Sequence, residues 1–308
     1  MDENKSIIKG KTLLTGSSGF LGSIINCYSE NKLLTLGRSS KDILRFNLTE
    51  EIPILPSDVS KVIHCMGLAH FEPKTNKESN YFFKVNYDAT VNLAKAIDEH
   101  CKDLKQFIFI SSVSVYGQNF KKKIVYKNDK TSPDTPYGES KLRAENFLKD
   151  WANNRKISLL ILRLPLVVGV NPTGNLRKMI IYLKKGLFFL INKGNAKKSM
   201  VLAEDIAKLV LSSANNNGTY VLTDNHHPSF FELTNFITKE LKLKRPKMIP
   251  GLIVYPLATI GSFLPMFPIN LRIFNNLNKT LIFSDEEAAE KINWSPNEVL
   301  SDASWLEK

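Results

Sequence analysis

The sequence predicts an α/β fold, a doubly wound parallel sheet followed by a smaller C-terminal α/β part. Three observations predict it. Short apolar runs alternate with helical stretches over the first 170 residues, the pattern of βαβ units whose sheet is covered on both faces. A glycine-rich turn joins the first strand to the first helix. The chain has 308 residues, 43% hydrophobic and 23% charged, enough to bury a sizeable core and too apolar for disorder.

The elements follow in order. Residues 11–15 read as a strand running into Gly16-Ser17-Ser18-Gly19-Phe20-Leu21-Gly22 and a helix to about Ser29. Strands are expected at 32–36 and 61–65, then a helix over 86–99 with apolar Val91, Ala94 and Ile97. A strand at 107–111, a helix over 141–151 and a strand at 159–164 complete a first part, residues 1–168. After Gly169 a basic helix (176–185), a strand (199–202), an amphipathic helix (204–214) and a strand (219–223) are expected. Residues 199–224 are expected to return to the first part, the rest of 169–308 forming a substrate domain. Pro228-Ser229 starts a helix over 230–241, and 284–292 reads as a short terminal helix.

The formal net charge is +12. Between Asp150 and Glu204 there is no acidic residue, while Arg155, Lys156, Arg163, Arg177, Lys178, Lys184, Lys185, Lys193, Lys197 and Lys198 lie there. Aromatic residues do not interleave with these basics as a stacking platform for nucleic acid would. No nucleic-acid partner is expected, and part of the run, chiefly Lys198 and Arg177, reads as a funnel for a phosphorylated small substrate. Three scattered cysteines (Cys27, Cys65, Cys101) form no C-x-x-C pair. That usage, with a polar N-terminus lacking a signal-type apolar region, predicts a cytoplasmic setting. The five histidines show no metal-ligand spacing. No charge occurs between Lys247 and Arg272, but Pro250, Pro256, Pro265, Pro268, Gly251 and Gly261 interrupt that interval. A membrane span needs about 20 mainly apolar residues. The stretch is therefore expected to be a short buried or partner-facing helix, with interfacial membrane contact as the alternative.

The turn at 15–22 has the chemistry of a dinucleotide site. Gly16 suits a tight turn, Gly19 a close approach to pyrophosphate, and Gly22 close helix packing. The helix N-terminus offers N–H groups and a positive dipole to phosphate. After the second strand, a carboxylate normally takes the ribose 2′-OH of NAD, while an arginine accommodates the 2′-phosphate of NADP. Here the strand ends Gly37-Arg38-Ser39-Ser40-Lys41, with no acid in that place. NADP(H) is therefore expected, with NAD(H) as the alternative, and Asn47 is a candidate adenine contact. Tyr137 and Lys141 stand one helical turn apart, so an ammonium can lower the pKa of a phenol. Ser111 and Ser112 end a strand of the sheet, where ligands bind.

With TGSSGFLG (15–22), VIHCMG (62–67), VNYDATVNL (85–93), ISSVSVYG (110–117), YGESK (137–141), RLPLVVG (163–169) and INWSP (292–296), the chain resembles the extended short-chain dehydrogenase/reductase family. Its members include nucleotide-sugar epimerases, dehydratases and ketoreductases. The resemblance implies a Rossmann-type cofactor domain and a homodimer through helices near 86–99 and 137–151. It implies that Tyr137 is the acid/base, that Lys141 tunes it and holds the nicotinamide ribose, and that Ser112 bonds the reacting oxygen. Cofactor contacts are implied at Gly16, Ser18, Gly19, Phe20, Leu21, Gly22, Arg38, Ser39, Asn47, Cys65, Met66, Gly67, Asn86, Ser111, Tyr137, Lys141, Leu164 and Pro165. Substrate contacts are implied at His70, Ser112, Ser114, Asn175, Lys198 and Arg272, with His64 among the supporting residues.

Within the family, the chain is similar to UDP-4-keto-6-deoxy-N-acetylhexosamine 4-reductases of surface polysaccharide synthesis. The expected activity is reduction of a C4 keto group on a UDP-sugar. Two alternatives stand. One is an NAD-dependent UDP-hexose or UDP-N-acetylhexosamine 4-epimerase, and Arg38 discriminates because a closed redox cycle has no need of NADPH. The other is a non-catalytic nucleotide-binding protein on the same fold.

Overall fold

Every residue of the strands Val59–His64 and Gln106–Ser112 is buried. Helices on both faces of a parallel sheet leave neither side of such a strand in water, which is why these segments read as near-continuous apolar runs. The computed structural model describes residues 10–69, 71, 73–117, 124–262 and 270–306.

In chain order the elements begin with Lys11–Thr15 (β1), Phe20–Tyr28 (α1), Leu34–Gly37 (β2), Leu44–Arg45 (β3) and Val59–His64 (β4). Asn76–Phe83 (α2), Ala89–His100 (α3), Gln106–Ser112 (β5), Ile124–Val125 (β6), Pro136–Arg155 (α4) and Ser158–Leu164 (β7) follow. Then come Leu166–Val168 (β8), Gly174–Lys184 (α5), Phe189–Ile191 (β9), Met200–Leu202 (β10), Ala203–Ser212 (α6) and Gly218–Val221 (β11). The chain closes with Phe230–Glu240 (α7), Lys247–Ile249 (β12), Gly251–Gly261 (α8), Leu271–Asn278 (α9), Ile282–Phe283 (β13) and Glu286–Ile292 (α10).

Seven strands form the main sheet in the order β11-β7-β5-β4-β1-β2-β3, every pair parallel. The chain winds outward from β1 to β3, then crosses back to β4, so the strand order reverses beside β1. Such a reversal opens a crevice at the carboxyl ends of the strands. One face of the sheet is covered around Leu93, Ile97, Leu148 and Trp151. The other is covered around Ile25, Ile206 and Val210. Residues after Gly169 rejoin this sheet, because β11 pairs with β7 and α6 packs on α1. The remaining C-terminal elements have their own core around Leu176, Met179, Leu233, Ile237 and Trp305. No described helix is long and apolar enough to cross a membrane.

Three elements differ from expectation. The helix expected over 86–99 starts ten residues earlier, at a capping box of Thr75 with Glu78. Its two parts, α2 and α3, are joined by a wider π-type turn over Lys84–Asp88. The helix expected over 141–151 is α4, begun by a Thr75-like cap from Thr135, whose hydroxyl accepts from Gly138 N, with Pro136 in its first turn. Tyr137 therefore sits in that first turn. The proline-broken stretch forms α8, which buries Gly251, Val254, Ala258 and Gly261 and leaves Leu252, Ile253, Tyr255, Leu257 and Ile260 exposed.

Two buried polar clusters pin helices to the sheet. Glu145 of α4 is fully buried and meets Arg163 of β7 bidentately, with Nε to Oε1 at 3.0 Å and Nη2 to Oε2 at 2.7 Å. Ser111 donates to Glu145 Oε1 at 2.6 Å, and Arg163 Nη1 donates to the Tyr116 hydroxyl at 2.8 Å. At the opposite end of the sheet Lys61 donates to the Ser213 carbonyl at 2.7 Å and caps α6.

His64 ends β4 inside the core. Its Nδ1 lies 2.6 Å from Thr15 Oγ1, its Nε2 lies 2.9 Å from Thr90 Oγ1, and Thr90 donates onward to the Asn86 carbonyl. That onward donation makes Nε2 the protonated nitrogen and Nδ1 the acceptor. Burial, and secondarily the Lys141 ammonium, push its pKa down to about 3. His64 is thus a core histidine, stacked 5.7 Å from Phe109, and not a substrate contact.

Breaking the buried ion pair leaves an uncompensated charge, so Glu145→Gln should cost about 3–5 kcal/mol in urea denaturation. The paired Glu145→Leu/Arg163→Met variant should lose less. His64 gives a second expectation. Its folded pKa lies below the unfolded value, so the unfolded chain binds the extra proton and stability falls as pH drops from 6.5 toward 3. Between about pH 6 and pH 4 the wild type should lose roughly 1.4 kcal/mol per pH unit more than His64→Gln.

Candidate active site

The first strand delivers the chain to the crevice, and the glycines decide how it turns. Gly16 has φ +75°, and a Cβ there would meet Met66 N at 2.7 Å. Only glycine fits both the angle and the approach. Gly19 caps α1 without a side-chain bond, its own N–H donating to the Gly16 carbonyl at 2.9 Å. A Cβ at Gly22 would collide with that same carbonyl. Gly22 therefore permits close packing of helix on loop, where packing of helix on sheet was expected. The first turn of α1 has neither a side-chain cap nor an acidic residue. Its N–H groups, around Phe20 and Leu21 beside the exposed Ser18, are suited to a pyrophosphate.

The end of β2 corrects the reading of an absent acid. Asp42, five residues past Gly37, turns back so that its carboxylate occupies the space a side chain at Gly37 would fill: a Cβ there would lie 2.5 Å from Asp42 Oδ2. Ser39 N donates to Oδ2 at 3.0 Å and the Ser17 hydroxyl donates to Oδ1. Asp42 is 5% exposed. The Arg38 side chain is exposed instead. Asn47 uses its Oδ1 locally, accepting from the Thr49 hydroxyl at 2.8 Å. The signal that could have found Asp42 is a glycine at the strand end followed by a serine-rich turn short enough to return a carboxylate.

Beyond β4 the chain passes Cys65, Met66 and Gly67. Cys65 N donates to the Thr15 carbonyl at 3.2 Å, which holds this loop against β1. Burial pushes the Cys65 thiol up to about 12, so it is inert. Asn86, turned inward by the π-type turn, clasps Leu68 with both amide groups, Oδ1 accepting at 2.7 Å and Nδ2 donating at 3.1 Å, and also donates to Ser140. A Cβ on Gly67 would lie 3.0 Å from Lys141 Nζ and 3.2 Å from Asn86 Oδ1. The loop, the lysine and the asparagine thus meet in one cradle. Leu164 lies in the core, and Pro165 follows it half-buried at the end of β7.

Ser112 ends β5 and caps the next turn, accepting from Ser114 N and meeting the Ser114 hydroxyl, both at 3.1 Å. Ser112 also hydrogen-bonds Tyr137. Lys141 Nζ donates to the Ile110 carbonyl at 2.9 Å and stands 4.7 Å over the Phe109 ring. Burial pulls Lys141 down to about 8. Burial raises the Tyr137 phenol above its usual value, and the bond with Ser112 only partly opposes this. The net direction is thus opposite to the lowering expected from Lys141, whose ammonium donates to the Ile110 carbonyl. Ser111 does not line the site, since its hydroxyl points to Glu145. Phe82 of α2 packs 6.2 Å from the Tyr137 ring.

The expected substrate residues are more dispersed. His70 lies outside the described residues. Asn175 is exposed in the first turn of α5, and Arg272 is exposed in the first turn of α9. Lys198 stands two residues before β10, whose Met200 pairs with Leu166 beyond the end of β7. Its Nζ donates to the Lys279 carbonyl at 2.9 Å, and burial pulls its pKa down to about 8. Among the described residues no group of histidine, cysteine or carboxylate side chains could hold a metal ion.

The residues gathered at this edge fit a nicotinamide dinucleotide: an uncapped helix N-terminus, a carboxylate at the end of β2, and a lysine-lined cradle beside Gly67. The model of the NAD dependent epimerase/dehydratase family matches residues 12–222. A UDP-glucose 4-epimerase of Vibrio cholerae is 27% identical over 94% of this chain and 92% of its own length. An N-acetyl-alpha-D-glucosaminyl-diphospho-ditrans,octacis-undecaprenol 4-epimerase of Escherichia coli O157:H7 is 28% identical over 60% of this chain and 56% of its own. Among solved structures, a UDP-glucuronic acid 4-epimerase from Bacillus cereus in complex with NAD superposes with a TM-score of 0.74, at 18% identity, over 96% of each chain. A UDP-N-acetylglucosamine 4-epimerase from Methanobrevibacter ruminantium superposes with a TM-score of 0.72 at 19% identity, over 95% of this chain and 94% of that one. At such identities the superpositions establish the shared fold. The family model spans most of the chain and includes the glycine turn, Ser112, Tyr137 and Lys141, and the protein belongs to the NAD dependent epimerase/dehydratase family.

Proposed function

We propose that the protein is an NAD-dependent 4-epimerase of a UDP-hexose or UDP-N-acetylhexosamine. The observation that carries this reading is the nearly end-to-end similarity to a UDP-glucose 4-epimerase. Asp42 supports it from the cofactor side. A carboxylate fixed beside the end of β2 suits a ribose 2′-OH and repels a 2′-phosphate, so the argument for NADPH from Arg38 and an absent acid, which favoured net 4-keto reduction over epimerisation, loses its footing.

A bound nicotinamide supplies reversible hydride transfer at the sugar C4. The side chains do the rest. Tyr137 takes the proton of the C4 hydroxyl and returns it to the same oxygen once the sugar has presented its other face, and Ser112, held by Ser114, hydrogen-bonds that oxygen throughout. Lys141 spends one N–H on Ile110 and keeps two for ribose hydroxyls. Asn86 keeps the 65–68 loop off the ring's place. Lys198 and Arg177 attract the diphosphate, whose binding energy orients the sugar. The sum is neutral: the proton leaves and returns to the C4 oxygen, while the hydride leaves C4 from one face and returns on the other.

A second reading concerns what carries the sugar. The Escherichia coli relative is named for a sugar on a diphospho-undecaprenol, and this chain exposes the apolar helix α8 just ahead of α9. A lipid diphosphate would offer the same anionic handle as UDP.

Incubation with UDP-N-acetylglucosamine or UDP-glucose, without added reductant, should yield the C4 epimer by proton NMR. Consumption of NADPH with a UDP-4-keto-sugar and no epimer formation would overturn the reading. Tyr137→Phe should lower kcat by roughly 10²–10⁴-fold while NAD binding is retained. Asp42→Asn should weaken NAD and strengthen NADP binding by titration, and moving the carboxylate in Gly37→Asp/Asp42→Gly should restore NAD preference. An unaltered NAD to NADP ratio in Asp42→Asn would remove Asp42 from that role.

A further inference from the structure

The acid-free part of the chain is larger than the run between Asp150 and Glu204. A second interval without any acidic residue reaches from Glu240 to Asp285, and it contains Lys242, Lys244, Arg245, Lys247, Arg272 and Lys279. The fold joins the two intervals. Strand β9 comes from the first and β12 from the second, and they pair in parallel with Lys247 opposite Phe189. Asn192, just after β9, accepts from Gly251 N at 2.6 Å and donates to Asn278 at 2.9 Å, fastening the start of α8 and the end of α9 to the same spot.

Helix α8 has two unlike sides, and both are apolar. Its buried residues are Gly251, Val254, Ala258 and Gly261, a stripe of small side chains at helical spacing. At 100° per residue the opposite side carries Leu252, Ile253, Pro256, Thr259 and Ile260, with Tyr255 and Leu257 at its margins. Leu252 is 87% exposed and Ile253 59%. Nearby in the fold, Leu187, Phe189 and Met248 are exposed too. A mainly apolar helix is normally buried, and a helix side of exposed apolar residues such as this one marks a docking site.

The charge around it says what docks. Lys184 and Lys185 precede Leu187, Lys193 follows β9, and Lys247 lies in β12. All four are exposed, and none makes an ion pair among the described residues. Protein–protein interfaces are depleted in lysine at their cores. An apolar helix face beside unpaired lysines, with a tyrosine at the margin, is instead the pattern that sits on anionic headgroups. We propose that α8, with the β9–β12 edge, docks the protein on an anionic phospholipid surface. The apolar side of α8 enters the acyl boundary while Lys184, Lys185, Lys193 and Lys247 meet lipid phosphates. The proposal is independent of which sugar carrier the active site accepts.

The test is co-sedimentation of the full chain with vesicles of phosphatidylethanolamine and phosphatidylglycerol, set against phosphatidylcholine alone. Wild type should sediment with the anionic vesicles only, and less as salt rises. Ile253→Glu/Leu257→Glu and, separately, Lys184→Glu/Lys185→Glu should each weaken vesicle binding by about tenfold or more. Thermal melting and NAD binding verify that these variants remain folded, and turnover of a soluble UDP-sugar should be unchanged in them. Absence of wild-type sedimentation with anionic vesicles would overturn the proposal, as would sedimentation indifferent to both variants. Light scattering covers the competing occupant. A wild-type dimer that Ile253→Glu/Leu257→Glu dissociates, without vesicle binding, would assign the face to a second copy and overturn the proposal. Loss of UDP-sugar turnover in wild type would count against the epimerase reading and leave the vesicle result standing.

Discussion

The buried pairing of Glu145 with Arg163 is the constraint on which the site depends. It fastens the middle of α4 to β7, and α4 carries Tyr137 and Lys141 in its first two turns. An ion pair with both members out of water is costly to assemble and often no more stable than an apolar replacement. What it supplies here is position. Its bidentate geometry fixes where α4 lies along the sheet, and Ser111 and Tyr116 extend the grip to both ends of the strand-to-turn segment that holds Ser112. Tyr137 and Ser112 are thereby referred to one rigid point.

A parallel sheet then does the gathering. Every strand of the main sheet ends on the same side, so the loops after β1, β2, β4, β5 and β7 meet there although their residues lie up to 150 positions apart. Local devices refine each loop: the turn of Gly16 against Met66, the clasp of Asn86 on Leu68, the return of Asp42 beneath Gly37. The C-terminal elements are built differently. Short strand pairs and exposed helices carry the surplus of lysine, and the basic excess belongs to this part of the surface.

Much of this was legible in the sequence because it is periodic or local. The main strands, the glycine turn and the Tyr137–Lys141 spacing are set by residues near each other in the chain. What escaped reading depends on side chains returning from a distance. Asp42 fills the place of a missing acid from five residues away, so a scan of the strand end alone finds none. Ser111 looked like a lining residue by its place in a motif, yet the partner that claims it, Glu145, is 34 residues on. His64 looked like a site residue by its neighbours, and only the packing of Thr15 and Thr90 around it reveals a core position. Helix α8 was expected to be buried or partner-facing because its composition is apolar, and composition does not say which side of a helix meets the protein.

The π-type turn over Lys84–Asp88 has a consequence for how this segment tolerates change. Such a turn holds one residue more than the α-helix around it, so α2 and α3 are out of phase by about 100° relative to one continuous helix. Phe82 faces Tyr137 and Asn86 faces the 65–68 loop only because of that offset. Residue number within the turn is therefore as critical as the identity of Asn86. Loss of a single position would let the helix close into regular α geometry and rotate the whole of α2 away from the tyrosine, a failure of counting rather than of chemistry.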